Sequence, residues 1–280
     1  MKVKFTKYHA LYNDFIIVES KNVRLPRKRL PQLALKMCAR HSGVGADGLL
    51  FISTKGKKKS VIEVYNADGG WAEKSGNGLR IAGLHFHRKK SRQREFKFQI
   101  SGTANSVKLI EKTSSGAILR TELGIPKFRS KDVPIKVPFP FMINQSLKMG
   151  GVNFPVTCLS IGNPHTVMIV ENFDFDWKTF GKLVENNRLF PKKTNVEFVK
   201  VLSRSRLQLC EWERGVGATG SSGTGAAAAV AAAVVLGMAE RKCTVDFEKG
   251  SLLINWRESD NIIELTGPVQ FICQGIYEFI

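Results

Sequence analysis

Two tetrapeptides of one pattern, Ser75-Gly76-Asn77-Gly78 and Ser222-Gly223-Thr224-Gly225, each lead into an apolar stretch of helical character. Serine is a natural helix cap, and glycines just after it leave backbone N–H groups bare at the positive end of the helix dipole. Such a terminus suits a carboxylate. Two termini facing each other across a cleft would hold one small anion from both sides. A reactive group on each would then address opposite faces of the same carbon. That is the geometry of a two-base inversion, in which one group removes a proton and the other returns one. A thiol fits the task, because a helix N-terminus lowers its pKa from ~8.5 toward neutrality. Here both positions are hydroxyls. A hydroxyl is a weaker acid by roughly five pKa units, about 7 kcal/mol, whereas the helix dipole supplies at most about 2 kcal/mol. Unassisted, neither Ser75 nor Ser222 is a useful base near neutral pH.

The elements that must position these groups occur twice. The segment 5–19 reads as strand, with Tyr12-Asn13-Asp14-Phe15 followed by the apolar run Ile16-Ile17-Val18. Its counterpart is 156–170, with Gly162-Asn163-Pro164-His165 followed by Val167-Met168-Ile169-Val170. Asn13 precedes Ser75 by 62 residues, and Asn163 precedes Ser222 by 59. Two related α/β halves follow. The stretch from Gly225 to Leu236 is small and apolar on every face, which predicts a helix buried all round with Gly237 as its stop. The stretch 79–87 is its less uniform partner. Short alternating runs at 97–100, 107–111, 118–122, 207–211 and 262–265 predict strands wrapped around a central helix in each half. The expected division is 1–127 and 128–269, with 270–280 returning to the first half and Pro126–Pro140 as the linker.

Bulk properties narrow the class. The chain has 280 residues, 43% hydrophobic and 24% charged, which is ordinary for a globular protein. No apolar run approaches the ~20 residues of a membrane span, and the first residues lack the apolar core of a signal peptide, so a cytoplasmic protein is expected. Five cysteines, odd in number and widely spaced, form neither a disulfide framework nor a zinc pattern. No metal is implied. The net charge of +19 is concentrated partly in Lys57, Lys58 and Lys59 and in Arg88, Lys89 and Lys90. Such runs suit an anionic polymer such as RNA, although no RNA-binding motif accompanies them.

Five ordered motifs carry a resemblance. They are Lys7-Tyr8-His9-Ala10-Leu11-Tyr12-Asn13-Asp14-Phe15, Gly43-Val44-Gly45-Ala46-Asp47-Gly48-Leu49-Leu50, Asn66-Ala67-Asp68-Gly69, Gly162-Asn163-Pro164-His165 and Glu213-Arg214-Gly215-Val216-Gly217. Together they resemble the diaminopimelate epimerase family over essentially the whole chain. The resemblance implies an α/β fold of two pseudo-symmetric halves, each a barrel-like mixed sheet around a central helix. It implies conversion of LL- to meso-diaminopimelate without a cofactor, on a ligand carrying two carboxylates, in lysine and peptidoglycan synthesis; a homodimer is separately among the expected partners. Asn13, Asn66, Asn163, Asn195 and Arg214 match the groups that hold the end of the ligand distant from the reaction. Glu213 and His165 match the polar groups near the reacting carbon. Gly76, Asn77, Gly223 and Thr224 match the donors to the reacting carboxylate. Ser75 and Ser222 stand where that family has its two cysteines. Ala218 replaces a glutamate, Tyr12 and Ala10 replace glycines beside Asn13, and Gly220 and Ser221 also depart from the pattern.

Three functions compete on this reading. One is a diverged homologue that binds a diaminopimelate-like amino acid with weak or no epimerase activity. Another is an isomerase or racemase using Glu213 or His165 as base. The third is a non-catalytic regulatory protein whose basic first half contacts RNA or another anionic polymer.

Overall fold

A computed structural model describes residues 1–55, 59–90, 92–149 and 152–280. The chain forms two compact units, Met1–Thr121 with Thr266–Ile280, and Glu122–Leu265. The first half runs β1 (Lys2–Ala10), β2 (Asn13–Glu19), α1 (Leu30–Cys38), β3 (Gly48–Lys55), β4 (Lys59–Asn66), β5 (Trp71–Ala72), α2 (Gly76–Lys89), β6 (Glu95–Ile100), β7 (Thr103–Lys112) and β8 (Gly116–Gly124). The second runs β9 (Gln145–Met149), β10 (Val152–Ser160), β11 (Pro164–Ile169), α3 (Trp177–Glu185), β12 (Asn195–Ser203), β13 (Arg206–Glu213), β14 (Gly217–Ala218), α4 (Gly223–Val235), β15 (Lys242–Phe247) and β16 (Gly250–Trp256). The last strand, β17 (Ile263–Glu278), carries the chain back to the first unit.

In the first unit β1 pairs with β2, β2 runs parallel to β3, β3 pairs with β4, and β4 runs parallel to β6. The antiparallel pairs β6–β7 and β7–β8 follow, and β17 pairs with both β8 and β1. Eight strands thus close into a mixed barrel, which leaves those strands no free edge. Helix α2 lies inside it, with Leu79, Ile81, Ala82 and Leu84 in one core with Phe15, Ile17, Leu50, Val107 and Leu119. Alternation along β2 explains its unbroken apolar run. Phe15 and Ile17 face α2, whereas Ile16 and Val18 join Leu30, Leu33 and Met37 of α1 in a second core. A strand covered on both faces reads as continuous rather than alternating, and each fully buried isoleucine stabilises by about 1.5–3 kcal/mol.

The second unit repeats the order of elements. β10–β11, β12–β13 and β15–β16 are antiparallel, β11–β12 and β13–β15 are parallel, and β14 folds back on β13 as β5 does on β4. Its sheet curls around α4, which β10, β11, β12, β13, β15 and β16 contact. Every residue from Gly223 to Ala233 is buried, so the alanine-rich sequence lets the strands approach this helix on all sides. Helix α4 ends in a Schellman turn: Gly237 has φ 73, and the Met238 and Gly237 amides bond to the Ala233 and Val234 carbonyls.

Two sequence expectations need correction in detail. Pro126–Pro140 is no open linker, because Val133 is fully buried and Ile135 nearly so in the second unit's core. Prolines and lysines masked that apolar alternation. The strand expected at 262–265 is only the start of the sixteen-residue β17.

The β1–β2 hairpin turns on Leu11 and Tyr12, with φ 47 and 66, between the paired residues Ala10 and Asn13. A two-residue turn with both φ positive favours Asn-Gly, and each L residue there costs about 1–2 kcal/mol. Glycine recovers that strain less its own entropic cost of about 0.5–1 kcal/mol. Tyr12→Gly is therefore expected to stabilise the protein, by up to about 1 kcal/mol. In urea unfolding the midpoint should rise with the slope unchanged.

Candidate functional site

Each unit builds one polar site at the entry of its central helix. In the first, β4 ends at Asn66, opposite Gly48 of β3, and the chain doubles back through β5 into α2. Ser75 caps α2 in extended conformation, its Oγ accepting from the Gly78 amide at 2.9 Å. Asn77 donates through Nδ2 to Asn13 Oδ1 at 3.0 Å, and Asn13 donates to Asp47 Oδ2 at 3.1 Å. Arg40 in turn holds Asp47 Oδ1 at 2.6 Å. Ser75, Gly76, Asn77 and Asn13 therefore converge. Asn66 lies one residue before Ala67, whose amide donates to the Asp47 carbonyl at 3.1 Å.

Three members of this site went unnoticed in the sequence. Asp47 and Arg40 fix the orientation of the Asn13 amide. Arg80, one turn into α2 and fully buried, donates to Asn77 Oδ1 at 2.6 Å and to the Gly76 carbonyl at 3.3 Å. Burial pushes its guanidinium down to about 9. The signal was present: a lone arginine in a helix otherwise small and apolar at its start. Arg80 adds positive character to a terminus that already favours anions. Lys74, just before the cap, is pushed down to about 8 by burial.

In the second unit Ser222 caps α4, its Oγ accepting from the Gly225 amide at 3.1 Å and lying 3.4 Å from Thr224 Oγ1. Asn163 donates to Thr224 Oγ1 at 3.3 Å, and its Oδ1 lies 2.9 Å from His165 Nε2. The other ring nitrogen, Nδ1, lies 2.6 Å from Glu197 Oε1. His165 is wholly buried, with both nitrogens occupied. Asn195 accepts from the Arg214 amide at 3.0 Å and donates to the Pro164 carbonyl at 2.8 Å. Arg214 reaches the Lys192 carbonyl at 3.3 Å, and Glu185 of α3 holds the following Gly215 amide at 2.9 Å. Asn163, His165, Ser222, Gly223 and Thr224 thus share one site, with Asn195, Glu213 and Arg214 at its rim.

Behind that rim lie carboxylates the sequence reading passed over. Glu197 on β12 and Glu211 on β13 are register partners, each 1% exposed. Thr219 Oγ1 lies 3.1 Å from Glu211 Oε1 and 2.6 Å from Glu213 Oε1. Burial above all, then the neighbouring Glu213 and Glu197, raises the Glu211 pKa well above the usual carboxylate range. Glu197 is raised too, by burial that the His165 contact partly opposes. The folded protein therefore holds a Glu211 proton that the unfolded chain releases above ~4.3, and stability falls as pH rises through the elevated value. Urea midpoints at successive pH values are expected to decline less steeply for Glu211→Gln than for the wild type.

The thiols lie away from both caps. Cys38 ends α1, and Cys158, Cys210, Cys243 and Cys273 sit on β10, β13, β15 and β17. Burial pushes Cys38 and Cys158 up to about 12, and Cys210 and Cys243 up to about 11. Of the basic clusters, Lys57 and Lys58 lie outside the described residues, as does the Lys59 side chain. Arg88 stacks on the Phe271 ring at 3.7 Å, Lys89 pairs with Glu19, and Lys90 follows α2 exposed. No helix of the described residues is long and apolar enough to cross a membrane.

Comparison with known proteins bears on the family and the fold. The family model for diaminopimelate epimerase matches residues 5–127 and 157–272. A chloroplastic diaminopimelate epimerase of Oryza sativa subsp. japonica is 38% identical over 283 residues, covering 97% of this chain and 79% of the relative. The diaminopimelate epimerase of Pelotomaculum thermopropionicum is 34% identical, covering 98% and 99%. Among solved structures, a hydroxyproline epimerase from Agrobacterium vitis aligns with TM-score 0.73 at 8% identity, over 98% of this chain and 92% of that one. That likeness is one of fold. With both helix entries inside the matched blocks, and with relatives above 30% identity along nearly its whole length, the chain belongs to the diaminopimelate epimerase family.

Proposed function

We propose that this protein binds a diaminopimelate-like amino acid and has weak or no cofactor-independent epimerase activity. The observation that carries the reading is the pair of cap hydroxyls. Ser75 and Ser222 occupy the positions that the family resemblance gives to its thiols, and each Oγ is engaged by its own helix. The groups assigned to ligand binding are present beside them. Asn13 and Asn77 are linked, Asn163 is joined to Thr224, and Asn195 braces the Arg214 backbone. A ligand with two carboxylates matches one dipole end and one guanidinium. Calorimetry with meso-diaminopimelate is expected to show saturable binding that Arg214→Ala weakens at least tenfold, about 1.4 kcal/mol. Binding equal in wild type and variant would exclude Arg214 from recognition.

A second reading, isomerase chemistry on a carboxylate base, draws support at one residue. Glu213 shares the Thr219 hydroxyl with a buried partner, whereas both nitrogens of His165 are occupied. Glu213 is thus the stronger candidate of the two. RNA contact through the basic first half has less support, since Arg88 and Lys89 are engaged within the unit.

A further inference from the structure

Thr219 has one hydroxyl hydrogen, yet its Oγ1 lies within hydrogen-bond distance of two carboxyl oxygens, 2.6 Å from Glu213 Oε1 and 3.1 Å from Glu211 Oε1. It can donate to only one of them. The other contact is a hydrogen bond only when that carboxyl carries a proton and donates it to Thr219. The surroundings decide which one does. Glu211 stands directly across the β12–β13 pair from Glu197, and like charges so placed repel. Glu197 already has the imidazole of His165 against Oε1. The second oxygen of Glu211 is buried without a hydrogen-bond partner, pressed so closely to α4 that a Cβ on Gly225 would come within 2.4 Å of it. An ionised carboxylate in that position would leave a buried charge uncompensated.

We propose that Glu211, Thr219 and Glu213 form a proton relay, in which Glu211 stores the proton and Thr219 carries it to Glu213. In the transfer the Glu211 O–H proton moves to Thr219 Oγ1 while the Thr219 hydroxyl proton moves to Glu213 Oε1. Glu211 ends as the carboxylate and Glu213 as the acid, with no other reactant consumed. The groups facing Glu211 are Glu197 on β12, with His165 of β11 behind it, and Glu213 and Thr219 at the end of β13 and after β14. From α4 comes Gly225, which does not titrate. Glu211 acts through Glu213, so it is a positioning residue that sets the protonation of its neighbour. This deepens the carboxylate reading of the site and rests on it only for what Glu213 then does to a ligand.

The test is a pH titration of protein labelled with 13C at the glutamate carboxyls, followed by NMR, with Glu211→Gln and Glu213→Gln used for assignment. The Glu211 signal is expected to keep the shift of a neutral acid to higher pH than the surface glutamates do. Thr219→Val removes the donor to the Glu213 carboxylate and should raise the Glu213 midpoint by roughly one pH unit, and Thr219→Ser should restore it. A Glu211 signal titrating with the surface glutamates would overturn the relay, and so would Thr219→Val curves identical to wild type. No ligand enters the measurement. Failure to bind diaminopimelate would therefore leave this result standing, and the reverse also holds.

Discussion

The double variant Ser75→Cys/Ser222→Cys is expected to interconvert LL- and meso-diaminopimelate at least about a hundredfold faster than the wild type. Both positions are helix caps with extended backbone and an Oγ already directed at the third amide of its helix. A thiol placed there is at the site where its thiolate is most stabilised. The difference in acidity between hydroxyl and thiol is about 7 kcal/mol, and half of it expressed in the transition state is about 3.5 kcal/mol, or between a hundredfold and a thousandfold in rate. Each single variant should gain far less inversion, because a two-base inversion needs both thiols. Isomer ratios followed by chromatography check the result. A silent double variant that binds diaminopimelate as the wild type does would move the defect to Ala218 or Tyr12.

Gly116→Ala is expected to cost about 3 kcal/mol or more. Gly116 opens β8 where that strand closes the first barrel against β17, and a Cβ there would lie 1.9 Å from the Val269 carbonyl oxygen and 2.9 Å from the Gln270 Cα. Backbone meets backbone, so no rotamer relieves the clash, and the strands can only part. Gly220→Ala is the control: open space surrounds its Cβ position, and its backbone is not in the left-handed region. It should fall within about 0.5 kcal/mol of wild type. Urea unfolding measures both, and equal midpoints would mean that the barrel seam is not where the stability lies.

The parts of the molecule visible in the sequence share a local cause. The two Ser-Gly-x-Gly turns appear as the caps of α2 and α4, because capping depends on the serine and the few amides after it. The all-small run of α4 could only belong to a helix enclosed by strands. Tyr12 stood out because it replaced a glycine, and it has positive φ in the structure. What stayed hidden depends on pairing between distant segments. Glu197 and Glu211 look like solvated charges within alternating strands, and only the β12–β13 register sets them face to face beneath α4. Arg80 reads as a surface cation until the barrel encloses its helix. The packing of Val133 and Ile135 was concealed by the prolines and lysines around them.

The most direct test of the account is an NMR experiment on the wild-type protein with LL-diaminopimelate, recording saturation transfer to the ligand and the ratio of LL to meso isomers in the same sample. The account predicts clear saturation transfer, lost in Arg214→Ala, with the isomer ratio unchanged over hours. Rapid conversion to the meso isomer would contradict it, for the site would then be moving protons with no thiol at either cap.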